Sequence, residues 1–282
     1  MIARVGCRHR STFFVALALM LCSGCALPKT EPAEGPELPP ACSPFVARAD
    51  SLRTGQHEPP LVLVVSGHQA AGEARGALSV TGRYENEYND TVVRMVKQMT
   101  APGGEITYKV FDSYHNLSLR ARVDSANILT PQPVLYIEVH HDSAEEEHRA
   151  QAQREGAGSN IAQLMRGFSI HYSTDQNEDA SAALCFAQLL GDTMLAQGFV
   201  PNLYHAVYPE NRPLQLVDRR RGIYNRVRPN GLFVLRGVSM PAVVFEVGSI
   251  AEAQEERHLQ TEQTHQQVGA AITTAVKRYL GY

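Results

Sequence analysis

Leu61-Val62-Leu63-Val64-Val65-Ser66-Gly67-His68 is an apolar run that ends in a small polar residue, a glycine and an imidazole. Pro60 precedes it, and Gly67 breaks it. Its aliphatic residues leave no polar face, which predicts a strand covered on both sides. Working outward, Val134 to Val139 and Ala242 to Val247 read the same way, and Ile106 to Phe111 alternates as a strand does. Phe168 to Tyr172 and Leu232 to Leu235 are further strand candidates. Between them, Glu85 to Met99 sets Tyr88, Val92, Val96 and Met99 at helical spacing. Leu117 to Ile128 and Ala180 to Gln197 also predict helices, the second stopped by Gly198. Gln263 to Leu280 places Val268, Ile272, Val276 and Tyr279 on one helix face. Strands alternating with helices predict an α/β fold: one domain built on a mostly parallel sheet of about six strands, flanked by helices.

Upstream of that domain the composition changes twice. Residues 1–24 combine Arg4, Arg8 and Arg10 with a short apolar stretch and close on Ser23-Gly24, the layout of a secretory signal peptide. The apolar stretch is short for a membrane-spanning helix. Cys25 directly follows the small residues, the position of a lipidated cysteine in bacterial lipoproteins, and Ala26 after it favours an outer-membrane destination over inner-membrane retention. Residues 25–58 carry Pro28, Pro32, Pro36, Pro39, Pro40 and Pro44 among few apolar residues, which predicts an extended tether. Residues 59–282 then form the folded domain. Export implies an oxidising compartment, where Cys42 and Cys185 either pair or remain separate thiols. Hydrophobic residues make up 44% of the chain and charged ones 20%, with a formal net charge of −3. A mildly acidic chain without a basic tract excludes nucleic acid as the expected partner.

The chemistry-bearing residues stand where the strands end. In open α/β sheets ligands bind beyond the carboxyl ends of the strands. Here those ends are Gly67-His68, Val139-His140-His141-Asp142 and Phe245-Glu246-Val247-Gly248, and Glu85 and Glu87 open the helix between the first two. Two imidazoles and a carboxylate that leave one position for water make a catalytic zinc set. One such histidine alone is most often a packed or surface residue. Glu246 stands apart, because a carboxylate within Ala-Val-Val-Phe-Glu-Val is costly to bury without a partner.

The order of these motifs resembles the zinc-dependent N-acetylmuramoyl-L-alanine amidases of the Amidase_3 type. Gly67-His68, Glu85, Leu119-Arg120-Ala121-Arg122 with Ala126-Asn127, Val139-His140-His141-Asp142 and Glu246-Val247-Gly248 follow one another as that family's motifs do. The resemblance covers roughly residues 60–280. It implies Zn2+ held by His68, Glu85 and His140, with Glu246 as general base. It further implies cleavage of the amide between N-acetylmuramic acid and L-alanine in peptidoglycan. The N-terminal segment itself predicts a periplasmic lipoprotein held to the outer membrane through Cys25, with a plain secretory signal or an uncleaved anchor as the alternative. Glu85 is preferred to Glu87 because it shares the helix face of Tyr88, Val92 and Val96, and because Asn89 follows it by the family's interval of four. His140 holds the motif position, whereas His141 points to the opposite side of the strand. His57, His115, His148, His171, His205, His258 and His265 are expected at surface or packing positions.

The sequence departs from the family at Val65-Ser66 and Gln69-Ala70 around the first histidine, at Glu138, where Ser is usual, and at Ser249-Ile250 after Gly248. Ser143 to Gln163 is read as a solvated surface insertion, with a lid or autoinhibitory segment as the sharper alternative. An activator protein, if there is one, has no signature in the chain. The competing functions are a zinc exopeptidase or deacylase on small amides, and a non-catalytic peptidoglycan-binding lipoprotein. The second would be expected to have lost one of the four site residues.

Overall fold

The computed structural model describes residues 42, 58–72, 74–100, 102–175, 180–208, 214–229 and 231–282. The signal peptide and the tether therefore lie outside the described residues, apart from Cys42 and Glu58. In chain order the strands are β1 (Leu61–Ser66), β2 (Thr107–Phe111), β3 (Leu135–Asp142), β4 (Ser169–Tyr172), β5 (Gln215–Asp218), β6 (Ile223–Asn225) and β7 (Ala242–Ser249). The helices are α1 (Glu85–Met99), α2 (Leu119–Asn127), α3 (Glu146–Glu155), α4 (Asn160–Met165), α5 (Ala180–Ala196), α6 (Tyr204–Val207), α7 (Phe233–Gly237), α8 (Ala253–Leu259) and α9 (Glu262–Tyr279).

The seven strands among the described residues join one sheet in the order β2-β1-β3-β7-β4-β6-β5. The expectation of a mostly parallel sheet of six strands is corrected: the sheet is mixed and has seven. β2, β1, β3 and β7 run parallel, but β4 is antiparallel to β7 and β5 antiparallel to β6. The reason lies in the connections. A parallel neighbour requires a crossover that carries the chain back along the sheet. The segment after β3 instead forms the short helices α3 and α4, and β4 then runs in the opposite direction.

Two further corrections concern the strand list. Leu232 to Leu235 is not a strand; it begins α7, in which Val234 and Leu235 are buried while Phe233 and Arg236 are exposed, a helical rather than an alternating pattern. β5 and β6, which were not expected, are short and lie beside the arginine-rich turn Arg219-Arg220-Arg221-Gly222.

Both faces of the sheet are covered. On one face Val62, Val64, Ile137, Val139, Val243 and Phe245 pack against Tyr88, Val92 and Val96 of α1, Phe186 and Leu190 of α5, and Ile272 and Val276 of α9. On the other, Leu63, Val65, Tyr136, Ala242 and Val244 pack against Val123 of α2 and Val234 and Leu235 of α7. Each such aliphatic side chain contributes about 1.5–3 kcal/mol when fully buried. The insertion after β3 is only partly solvated. Ala152 of α3 and Ile161, Ala162 and Met165 of α4 enclose Tyr204 of α6 in a small core of their own.

Cys42 and Cys185 form a disulfide, which decides the question that the sequence leaves open. It closes a sequence separation of 143 residues and fixes Cys42 to the buried face of α5. A link over so long a loop contributes about 2–4 kcal/mol, mainly by restricting the unfolded chain. Replacing Cys185 by Ala should lower the thermal midpoint by roughly 5–15 °C. Differential scanning calorimetry of the oxidised protein and the variant checks this, with non-reducing peptide mapping to detect the link. Equal midpoints would mean that the pair does not stabilise the fold.

Candidate functional site

β1, β3 and β7 deliver their last residues to the same end of the sheet. His68 follows β1 with a φ of 67°, in the left-handed region that non-glycine residues seldom occupy. His140 lies near the end of β3, and Glu246 on β7 is its register partner. Glu85 opens α1 and reaches the same place from above the sheet. Its Oε2 lies 2.9 Å from His68 Nε2, and its Oε1 lies 2.8 Å from His140 Nδ1. The imidazole rings stand edge to face, 4.9 Å apart. The donor atoms of His68, Glu85 and His140 all lie within 4.8 Å of one another, close enough to hold one metal ion.

The structure separates the neighbouring candidates. Glu85 is buried, whereas Glu87 is exposed and pairs with Arg83. His140 joins the cluster, while His141 is buried beside α1, where its Nδ1 lies 2.7 Å from Asn89 Oδ1. Asn89 is fully buried and its amide also donates to the Gly67 carbonyl at 3.2 Å. It thereby ties α1 to the turn that presents His68.

Two glycines make the approach of these groups possible. A Cβ on Gly67 would lie 2.3 Å from His140 Cε1 and Nε2, so no larger residue fits without moving that ring. Gly76 has a φ of 84°, and a Cβ there would meet Glu85 Oε2 and His68 Cδ2, each at 2.6 Å.

The electrostatics separate the carboxylates. Burial alone would raise the pKa of Glu85, but hydrogen bonds and charge attraction from His140 and His68 hold it well below the usual carboxylate range. Burial likewise works against the charged form of His140, yet its contacts with Glu138 and Glu85 raise its pKa well above the ordinary histidine value. In Glu246 burial prevails, and its pKa is pushed up to about 8. Attraction to His140 opposes the rise, and the nearby Asp142 and Glu85 add to it. Glu246 Oε2 is buried and has no hydrogen-bond partner among the described residues. A buried, unpartnered carboxylate oxygen beside a metal-competent cluster suits proton transfer better than structural support.

Sequence reasoning missed two features. Asp142, past a register shift in β3, lies 2.9 Å from His205 Nε2 and accepts from Asn202 Nδ2 at 3.1 Å, so His205 joins the rim of the site. Glu138 was noted only as a departure, although it lies fully buried between Ile137 and Val139, the same signal that marked Glu246. His171 agrees with the expected packing role: it is buried and stacks on Tyr224.

The family model for N-acetylmuramoyl-L-alanine amidase, Amidase_3, matches residues 62–278. The chain belongs to this amidase family. The amidase AmiC of Escherichia coli O6:H1 is 23% identical over 249 residues, which cover 80% of this chain and 54% of the relative. The chain thus spans about half the length of that curated relative. Among solved structures, the catalytic domain of CwlV, an N-acetylmuramoyl-L-alanine amidase from Bacillus (Paenibacillus) polymyxa var. colistinus, aligns with a TM-score of 0.55 at 21% identity, covering 79% of this chain and 98% of that one. An N-acetylmuramoyl-L-alanine amidase from Clostridium difficile 630 aligns with a TM-score of 0.57 at 21% identity, covering 79% and 97%. These structural likenesses establish the shared fold.

The shifted pKa of Glu246 yields a stability test on chelator-treated protein. Its folded value lies above its ordinary value of 4.5, so the folded chain holds more protons than the unfolded one between 4.5 and about 8. The group's contribution to stability is therefore greatest at low pH and is lost as pH rises through the folded value. Glu246→Gln should raise the thermal midpoint more at about pH 9 than at about pH 5. Equal shifts, followed by circular dichroism, would show that Glu246 titrates in the ordinary range.

Proposed function

We propose that this amidase hydrolyses the bond between N-acetylmuramic acid and L-alanine in peptidoglycan, with Zn2+ held by His68, Glu85 and His140 and with Glu246 as general acid and base. The observation that carries the reading is the convergence of those three donor side chains at the strand ends, with Glu246 as the register partner of His140. The donor set fits the ion: two imidazoles and one carboxylate leave a position open for water, as catalytic zinc sites do. When bound, zinc would supply a Lewis acid and a water of near-neutral pKa.

The chain's own residues perform the remaining work. Glu85 is held ionised by its histidine neighbours and so is ready to act as an anionic ligand. Glu246 removes a proton from the attacking water and returns it to the departing amine of L-alanine. Its raised pKa brings both halves of that transfer into reach near neutral pH. The small core of α3, α4 and α6 flanks this end of the sheet and brings His205 to Asp142.

On isolated sacculi the full-length chain should release peptides with a free L-alanine amino terminus, identified by mass spectrometry. Glu246→Gln should lower kcat by ~10²–10⁴-fold with zinc content retained, and His68→Ala should lose both zinc and activity. Near-native turnover by Glu246→Gln would remove the assigned base, and full activity after exhaustive chelation would remove the metal.

We further propose export through residues 1–24, lipidation at Cys25, a tether over 25–58 and a catalytic domain over 59–282, in a periplasmic enzyme anchored to the outer membrane. The disulfide between Cys42 and Cys185 supports an oxidising compartment. Cells fed labelled palmitate should label the wild-type chain and not Cys25→Ser, and the variant should move from the membrane to the soluble fraction. A wild-type chain that takes up no label, or Cys25→Ser labelled as strongly as wild type, would dismiss the lipid anchor.

A further inference from the structure

β3 carries a fully buried carboxylate, Glu138, that the proposed chemistry does not use. Glu138 and His140 are two positions apart on the strand, so their side chains rise from the same face. Glu138 is fully buried. Its Oε2 accepts from Tyr136 Oη at 2.6 Å, and its Oε1 accepts from Arg122 Nη1 of α2. The same Oε1 lies 3.2 Å from His140 Nε2. Arg122 is itself buried, and its Nε donates to the Leu117 carbonyl at 3.2 Å.

A buried ion pair of this kind is weak evidence for stability, since well-packed apolar residues often replace such a pair without loss. Its position explains it better. We infer that Glu138 is a positioning residue for His140, accepting the Nε2 proton so that Nδ1, the nitrogen facing Glu85, is presented to the metal. The inference rests on the reading of His68, Glu85 and His140 as ligands.

A neutral imidazole carries one N–H, and a carboxylate that accepts it fixes the tautomer, orients the ring and makes the other nitrogen a better donor. Gly67 constrains the same edge, since the ring atoms Cε1 and Nε2 occupy the space its Cβ would take. Tyr136 and Arg122 in turn hold the carboxylate, and Arg122 balances its charge. The serine usual in the family at this position has a shorter, uncharged side chain. In this chain the buried carboxylate is balanced by the Arg122 guanidinium, which makes its burial tolerable.

The test is Zn2+ affinity, measured on the full-length chelator-stripped protein by competition with a chromophoric chelator. The visible spectrum of the Co2+-loaded protein serves as a second readout of ligand geometry. Glu138→Gln keeps the shape and removes the charge; Arg122→Met with Glu138→Met removes the whole pair and leaves no buried charge behind. Both should bind Zn2+ roughly 10–100-fold more weakly than wild type and shift the Co2+ bands, with the double variant still folded. Affinities within roughly twofold of wild type would overturn the inference and leave Glu138 as a counter-ion for Arg122. If the double variant does not fold, Glu138→Gln decides alone by the same criterion. A wild-type chain that binds no Zn2+ would overturn the ligand reading and this inference together, whereas tight wild-type binding with unaffected variants overturns this inference alone.

Discussion

A carboxylate taken out of water must be surrounded by donors, and at Glu85 that requirement organises the end of the sheet. Its oxygens face His68 and His140, and they also accept from the backbone N–H groups of Ala77 and His141 at 3.2 and 3.3 Å. Those donors come from the turn after β1, from the end of β3 and from the loop that leads into α1. Each element is placed by a group it cannot afford to leave unpaired. Asn89, one turn further along α1, extends the same logic to the Gly67 carbonyl and to His141. Side chains and backbone together satisfy the charge of Glu85.

The sheet divides into two parts with different tasks. β2, β1, β3 and β7 are parallel and deliver the site residues at their carboxyl ends. β4, running against β7, brings Ser169 into register with Glu246 from the opposite direction. The reversal therefore sets the start of β4 beside the site. The helices that cause it, α3 and α4, fold over Tyr204 at this same end, and Tyr204 adjoins His205 on α6.

Much of this was legible in the sequence, for reasons that can be named. Leu61 to Val65 could only be a strand covered on both faces, and it is buried throughout. The helical period of α1 separated Glu85 from Glu87, because a side chain four positions before a buried residue shares its face. Glu246 declared itself by the cost of its apolar setting. Strand direction was not legible, since the length of a connection does not reveal whether it crosses the sheet. β5 and β6 are too short, and too close to arginines, to raise an apolar signal. Leu232 to Leu235 is too brief for its period to be read. Glu138 had the same apolar setting as Glu246, but its partner Arg122 lies on a different element, and only the fold brings the two together.

The bond between Cys42 and Cys185 changes the mechanics of the segment before the domain. For a chain held to a membrane at Cys25, the leash would ordinarily run to the first strand, a span of at most roughly 120 Å if fully extended. The cross-link moves the point of attachment back to Cys42 and cuts that limit to roughly 60 Å. The load on such a leash would then fall on α5, at the buried side of the sheet, and not on the first residues of β1. For a chain anchored in that way, the redox state of one sulfur pair would set how far from the membrane the domain can reach.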